Sequence, residues 1–120
     1  MIIQFESFID NELIKKYKTN YQKENNKIIF NDDETNDLFI FEIIDEKSII
    51  IHRKGDITMK FKFILNKKTV GLYQLLGNIH RFDIETSSIS ISNEKINIIY
   101  KMKDNTNKES IHKINIYFCI

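Results

Sequence analysis

The two arginines of this chain are the residues whose chemistry stands out. Arg53 and Arg81 occur among sixteen lysines, and each ends or interrupts an apolar stretch. The planar guanidinium of arginine holds a carboxylate or a phosphate through two parallel hydrogen bonds, which the lysine ammonium cannot do. A functional interpretation places one or both at an open end of the fold, where they hold the head group of an amphipathic ligand. A structural interpretation pairs Arg53 with a neighbouring carboxylate such as Glu42.

Aromatic side chains supply the apolar surface that such a ligand needs. Phe61, Phe63 and Tyr73 lie between the two arginines in sequence and are the candidate lining of a ligand site. The same side chains can equally fill the interior of the fold. The chain has no alanine, and we expect no glycine to face the interior. Large side chains throughout therefore favour a filled or nearly filled core.

The residues that usually bind metals do not form a motif. His52, His80 and His112 lie far apart in sequence and lack the short spacing of a zinc site, so we interpret them as surface or rim residues. The single cysteine, Cys119, excludes a disulfide framework and a cysteine-based metal site. We therefore predict neither a metal nor a cofactor.

Candidate groups for catalysis have simpler explanations. Asp83 and Glu85 share one predicted strand face with Arg81, which indicates a solvated face of mixed charge rather than an acid–base pair. The serines of the SSISIS stretch at 87–92 indicate a polar strand face, and the chain has no nucleophile elbow and no phosphate-binding loop. We predict no catalytic residue and a protein that is not an enzyme.

The overall charge argues against a general polyanion binder. Eighteen basic and seventeen acidic side chains leave a formal net charge of +1. Lys60, Lys62, Lys67 and Lys68 form one basic stretch, but the neighbouring aromatic residues are expected on the opposite face of the strand, so charge and stacking do not converge. We do not expect nucleic acid as the main partner.

The elements that must position these residues are β-strands. Apolar residues recur at every second position, as at Ile57, Met59, Phe61 and Phe63, and this period is typical of half-buried strands. Two windows, 5–13 and 72–76, also fit the spacing of a helix. The pattern predicts strands at 2–9, 15–23, 27–31, 36–44, 47–53, 56–65, 68–76, 79–91, 95–103 and 110–118.

Asparagine, aspartate and glycine mark the turns between the predicted strands. These residues tolerate left-handed backbone conformations, and the chain has no proline to do this work. The turns are predicted at 25–26, 31–34, 45–46, 54–56, 66–67, 77–78, 93–94 and 104–108. Short connections make sequential strands neighbours, and closure removes exposed sheet edges. We predict a single all-β domain over residues 1–120, a closed antiparallel up-and-down barrel of eight to ten strands.

The expected location is intracellular. No apolar run reaches the roughly 18–20 residues that a membrane-spanning helix needs. The N-terminal segment lacks the basic region, the long apolar core and the cleavage site of a signal peptide. We therefore expect a cytoplasmic protein without a membrane span.

The stretch that begins at Arg53 resembles a known family. Arg53, Gly55, Met59 and Phe63 follow the motif of the YwiB-like family of small bacterial proteins. The motif continues with a tyrosine and then a threonine farther along the chain.

The tyrosine of the family motif falls on Tyr73, and its threonine falls on Thr86. The resemblance covers roughly residues 45–103. A family glycine falls on Asn78, with Gly77 one residue earlier, and asparagine can take the same left-handed conformation. The resemblance implies a calycin-like or lipocalin-like barrel in a cytoplasmic bacterial protein of uncharacterised function.

Two functions follow as hypotheses. The first is a non-enzymatic module that binds a small amphipathic or apolar ligand at the barrel mouth, with Arg53 or Arg81 at its polar end. The alternative is an interaction protein with a filled barrel whose surface docks a protein or RNA partner.

Overall fold

Ten antiparallel strands form a closed barrel in the computed structural model, which describes residues 1–119. Each strand pairs with its neighbours in the chain, and β1 pairs with β10 to close the barrel. The strands are β1 (Ile2–Ile9), β2 (Glu12–Glu24), β3 (Lys27–Asn31), β4 (Leu38–Asp45), β5 (Ser48–Lys54), β6 (Ile57–Ile64), β7 (Lys68–Leu75), β8 (Asn78–Ile91), β9 (Lys95–Lys103) and β10 (Glu109–Cys119). The predicted all-β, up-and-down barrel is confirmed.

Turn residues set the strand boundaries. Asn25, Asn66 and other asparagines adopt positive φ angles, as their left-handed tolerance predicts. Asp10 and Asn11 do the same and form a tight turn that was not predicted. The window 5–13 is therefore two strands and a turn rather than a helix, and β2 begins at Glu12 instead of residue 15.

The core of the barrel is made by inward-facing apolar residues of nine strands, and the half-buried Tyr73 of β7 packs against them. Their alternation along each strand is the pattern expected when one face of a sheet is buried. Alternate positions on β4, β5 and β9 illustrate it, with Phe41, Ile49 and Ile98 fully buried. The core residues are Ile3, Phe5, Tyr17, Ile28, Phe30, Phe39, Phe41, Ile49, Ile51, Phe61, Phe63, Ile84, Ile96, Ile98, Tyr100 and Ile116.

A β-bulge in β8 keeps this long strand apolar on its inner side. The pairing register with β9 shifts between Thr86 and Ser88. Because one extra residue reverses the alternation, Ile84 before the bulge and Ile89 after it both pack with the core. Within the SSISIS stretch, Ile89 and Ile91 pack against the core, and the alternating serines form the polar face that the sequence suggested.

One glycine does face the interior, contrary to the sequence-based expectation. Gly71 on β7 is buried, and a Cβ atom built there would lie 2.7 Å from both Ile84 and the Phe61 ring. β7 therefore approaches the core more closely than a strand carrying any other residue could. The glycine allows the Phe61 ring to pass beneath β7 and reach β8.

The two ends of the barrel are formed by alternate loops. The ion-paired end carries the loops at 10–11, 32–37, 55–56, 76–77 and 104–108. The open end carries the start of β1, the end of β10 and the turns at 25–26, 46–47, 65–67 and 92–94. Polar and apolar side chains are distributed very differently between these two ends.

Candidate functional site

Arg53 lies at the ion-paired end and forms an ion pair within its own chain. It follows the buried Ile49 and Ile51 on the inner side of β5, and its Nε atom donates to Asp37 Oδ2 at 2.9 Å. A second nitrogen donates to Thr35 Oγ1 at 3.3 Å. The guanidinium carbon lies 5.0 Å from the centre of the Phe39 ring, which is a cation–π arrangement. These contacts favour the structural interpretation of Arg53.

Asp37 is the centre of this network and explains the Arg-x-Gly motif. Its carboxylate also accepts the backbone N–H groups of Asp56, at 3.0 Å, and Ile57, at 3.3 Å. Desolvation raises the pKa of Asp37, but the hydrogen bonds from Asp56, Arg53 and Ile57 outweigh it and hold this pKa below its usual range. A Cβ atom on Gly55 would lie 2.0 Å from Asp37 Oδ1, so the turn needs glycine there.

The carboxylate partner differs from the example considered in the sequence. Glu42 does not contact Arg53; it faces His52, whose Nε2 atom lies 3.3 Å from Glu42 Oε1. Arg53 and His52 are successive residues on β5 and therefore point to opposite faces of the sheet. The inward residue takes its partner from the loop at 32–37, and the outward residue takes its partner from β4.

A second ion pair lies beside the first. Lys15 Nζ contacts Asp32 Oδ1 at 2.6 Å and Asp33 at 3.2 Å. Burial raises the pKa of Asp32, but hydrogen bonds from Lys15, Thr35 and Glu34 lower it to about 2. Thr35 Oγ1 donates to Asp32 and accepts from Arg53, so one hydroxyl links the two ion pairs. This end of the barrel is covered by its own charged side chains.

Arg81 does not share a site with Arg53. It is exposed on the outer side of β8, where it alternates with the inward-facing Phe82. Arg81 and His80 border a shallow cleft of about 250 Å³, where the start of β8 extends past β9 toward Asn105. The structure thus places the two arginines on opposite faces of the barrel wall.

The aromatic residues predicted to line a ligand site are part of the core. Phe63 is fully buried, and its ring centre lies 4.6 Å from that of Tyr100. Phe61 is buried, and its ring centre lies 6.2 Å from that of Phe82. The half-buried Tyr73 ring meets the Phe82 ring edge-on, with their centres 6.3 Å apart. These rings fill the interior that a roomy ligand pocket would need.

The remaining positions of the family motif are also structural. Met59 is half-buried and packs against the core, and Thr86 is fully buried, with no partner for its hydroxyl in the part of the chain that the structure describes. In the turn between β7 and β8, Leu76 and Gly77 take positive φ angles. Asn78 instead begins β8, so the expectation of a left-handed asparagine there is wrong.

The histidines are not all at the surface. His80 is exposed and His52 is half-buried, but His112 is buried within β10 and stacks on Tyr100 with ring centres 5.0 Å apart. Ser110 Oγ lies 2.7 Å from His112 Nε2, and burial lowers the pKa of His112. Among residues 1–119, no three histidine, cysteine or carboxylate side chains form a metal-binding group.

The other charged candidates lie where the sequence placed them. Asp83 and Glu85 are exposed on the outer wall with Arg81, and Cys119 is exposed at the end of β10. The four lysines of the basic stretch, Lys60, Lys62, Lys67 and Lys68, are all exposed.

A cleft at the open end is the site that sequence reasoning missed. It measures about 260 Å³ and reaches inward from the rim to the buried Ile28 and Ile96. The Tyr21 and Phe118 rings form one wall, with their centres 5.4 Å apart. The lining residues are Tyr21, Lys23, Ile28, Ile43, Ile91, Ser92, Asn93, Ile96 and Phe118.

Hydrogen bonds across the turns hold the rim of this cleft in place. The backbone N–H of Ile43 donates to the Asn26 carbonyl at 2.8 Å, and the Asn26 side chain donates back to the Ile43 carbonyl at 2.9 Å. On the other side, the Phe118 N–H donates to the Glu94 carbonyl at 2.9 Å. The apolar walls are therefore carried by anchored turns.

Lys23 provides a positive charge at the edge of the cleft. It lies two residues after Tyr21 on β2 and therefore shares its face, and its side chain is exposed. Within residues 1–119 it forms no ion pair, in contrast to Lys15 at the other end of the same strand. The alternation of Tyr17, Tyr21 and Lys23 in the sequence is a signal that could have indicated this face.

A larger hollow of about 330 Å³ lies on the outer wall and has a different character. It runs over β7, β8, β9 and the start of β10, where Lys68, Glu85 and Lys101 alternate in sign. Such a surface is explained by solvated cross-strand charge pairs.

The described residues contain no helix long and apolar enough to cross a membrane.

Comparison with known proteins identifies the family. A family model described as a domain of unknown function, DUF1934, matches residues 7–116. The chain belongs to this family. The crystal structure of the ywiB protein from Bacillus subtilis superposes with a TM-score of 0.66 at 18% sequence identity, covering 99% of this chain and 91% of that one. At this identity the likeness shows a shared barrel fold, and it confirms the YwiB-like resemblance. No curated protein matches the chain.

Proposed function

We propose that this DUF1934 barrel binds a small amphipathic anion at its open end without catalysing a reaction. The observation that carries the proposal is the cleft between Tyr21 and Phe118, which exposes apolar side chains beside Lys23, a lysine that forms no ion pair within residues 1–119. Concave apolar surfaces with a few polar groups at one side are the usual form of small-molecule sites.

The size of the cleft limits the ligand. Its volume of about 260 Å³ lies just below the range of roughly 300–1,000 Å³ typical of such pockets. The buried Phe30 and Phe41 occupy the interior beneath it, so a long chain cannot enter the barrel as it would in a hollow one. A short aliphatic or aromatic body therefore fits better than a fatty acid of full length.

The charge beside the cleft sets the polar end of the ligand. Lys23 offers a flexible ammonium that has no carboxylate partner among the residues the structure describes, and such a group suits a carboxylate or sulfonate. Arg53 is already held by Asp37, and Arg81 lies on the outer wall. We therefore move the expected head-group contact from the two arginines to Lys23.

The chemistry of the cleft favours binding over catalysis. The Ser92 hydroxyl accepts the backbone N–H groups of Glu94 and Lys95 at 3.2 and 3.1 Å, so it stabilises the turn between β8 and β9. The charged residue in the lining is a lysine, and no carboxylate accompanies it there to act as a general base.

Titration of the full chain with 1-anilinonaphthalene-8-sulfonate, followed by fluorescence, tests the proposal. The probe joins an aromatic body to an anion, and octanoate serves as the competitor. We expect Lys23→Gln to weaken probe binding about fivefold, by the loss of roughly 1 kcal/mol of charge interaction. Ile43→Trp should weaken it further because the larger side chain fills the cleft.

The matched control is Lys62→Gln, which removes an exposed lysine from the outer wall. It should leave the probe affinity unchanged. Equal affinity in wild type, Lys23→Gln and Ile43→Trp would show that the probe binds elsewhere and would overturn the proposal.

A further inference from the structure

The turn between β7 and β8 places an apolar side chain in an unfavourable backbone conformation. Leu76 and Gly77 have φ angles of 51° and 80°, the positive pair of a type I′ hairpin turn. Asparagine, aspartate and glycine suit such positions because other side chains crowd the backbone there. Leu76 is also 89% exposed, so its side chain gains almost nothing from burial.

This choice of residue departs from the rest of the chain. Among the described residues, every other position with a positive φ angle carries asparagine, aspartate or glycine. They are Asp10, Asn11, Asn25, Asn36, Gly55, Asn66, Gly77 and Asn107. Asparagine at position 76 would therefore make the isolated fold more stable than leucine does. A leucine at this position is explained if its side chain contacts another molecule.

Leu76 is surrounded by further exposed apolar residues. Leu72 and Leu75 on β7 are partly exposed, and Ile79 on β8 is 66% exposed. We name these four residues, Leu72, Leu75, Leu76 and Ile79, the hairpin tip. Leu75 directly precedes the turn, and Ile79 is the second residue of β8. Leu72 lies on the same outer face as Ile79, one cross-strand row farther from the turn, whereas Leu75 points to the opposite face of β7. Apolar side chains therefore surround the turn on both faces of the hairpin.

Two cations flank the hairpin tip. Leu72 pairs with Lys60 of β6 on one side and with Arg81 of β8 on the other. Neither forms an ion pair within residues 1–119, whereas Asp83 lies one row farther from the turn, opposite Val70. The apolar projection thus carries unpaired positive charge at its base.

We propose that the hairpin tip inserts into the surface of an anionic lipid bilayer. Four exposed side chains offer far less than the roughly 800 Å² per partner that a stable protein complex buries. A narrow convex turn needs a deformable or concave partner, and the interfacial region of a bilayer accepts leucine and isoleucine side chains without shape complementarity. Lys60 and Arg81 then lie at the depth of the lipid phosphates.

This site is separate from the proposed ligand site. The hairpin tip belongs to the ion-paired end of the barrel, and the Tyr21–Phe118 cleft belongs to the open end. Binding to lipid and binding of a small anion therefore succeed or fail independently.

Flotation of the full chain with vesicles tests the proposal, using phosphatidylglycerol mixed with phosphatidylcholine, or phosphatidylcholine alone. We expect binding to the anionic vesicles only. Leu76→Asn should weaken it about tenfold, as expected from losing one buried leucine. Arg81→Gln should weaken it about fivefold, with a smaller effect at high salt.

The substitution at Leu76 separates contact from folding. Asparagine fits the left-handed turn, so the melting temperature of Leu76→Asn should equal or exceed that of wild type. The control is Ile44→Asn, which removes an exposed isoleucine at the opposite end and should leave vesicle binding unchanged.

Three outcomes would overturn the proposal. They are absence of wild-type binding to the anionic vesicles, equal binding by wild type and Leu76→Asn, and a dimer in sedimentation velocity that Leu76→Asn abolishes. The last would assign the hairpin tip to a second copy of the chain.

Discussion

The two ends of the barrel are built from the same strands and treat inward-facing polar groups in opposite ways. At the ion-paired end, Arg53 and Lys15 each reach a buried carboxylate and lie over an aromatic ring. At the open end, Lys23 lines a cleft of mixed polar and apolar side chains and has no carboxylate partner among the described residues. The difference teaches that a charged residue on an inner face indicates a binding site only when its own chain leaves it unpaired.

The contrast is clearest along β2. Lys15 and Lys23 are eight residues apart and lie on the same side of the strand, on either side of Tyr17 and Tyr21. Lys15 is paired with the loop at 32–37, whereas Lys23 forms no ion pair within the described residues and is the head-group contact of our proposal. The same residue type is thus half-buried in an ion pair at one end and exposed at the other.

The largest expected effect is at the turn beneath Asp37. Gly55→Ala should lower the free energy of unfolding by about 3 kcal/mol, because an alanine Cβ meets the Asp37 carboxylate and the backbone conformation is restricted to glycine. The matched control is Gly77→Ala, where the backbone is strained but no atom lies within 4 Å of the added Cβ, and about 1 kcal/mol is expected. Equal losses in urea unfolding would contradict the close contact at Gly55.

An intermediate effect separates the two lysines of β2. Lys15→Gln should lower the free energy of unfolding by about 1–2 kcal/mol, since it removes a charged hydrogen bond to the buried Asp32. Lys23→Gln should change it by less than about 0.5 kcal/mol, because the side chain is exposed and unpaired within the described residues. Chemical denaturation of both variants measures the difference, and a larger loss for Lys23→Gln would reverse the comparison.

The acid dependence of the ion-paired end sharpens the comparison further. Burial raises the pKa of Asp32, but the hydrogen bonds from Lys15, Thr35 and Glu34 lower it to about 2 in the folded state, below the unfolded value near 3.8. Its contribution to stability is therefore complete above about pH 4 and is lost as the pH falls toward about 2.

Asp32→Asn provides the measurement for this acid dependence. Its side chain keeps an oxygen for the backbone N–H groups of the turn but does not ionise. Unfolding curves recorded through the acid range should show a shallower loss of stability for Asp32→Asn than for wild type. Parallel losses in the two proteins would show that Asp32 does not cause the acid dependence of stability.

Local patterns predicted most of the strands because a half-buried strand repeats every two residues. The strands Ile57–Ile64 and Lys95–Lys103 begin and end within one residue of the bounds that their alternation predicts. The bulge at Ser87 and Ser88 was not predictable, because the extra residue reverses the alternation without changing the residue types around it. Gly71 was missed for a similar reason, since its role depends on how closely Phe61 approaches β7.

The sequence by itself determined that the chain is an all-β barrel whose turns are made by asparagine and aspartate. Those features depend on neighbours a few residues apart. Only the tertiary structure decided that Arg53 is held by Asp37, sixteen residues earlier, and that Tyr21 faces Phe118 across the open end. Closing the barrel brings the first and last strands together, and no local pattern records which polar side chain finds a partner there.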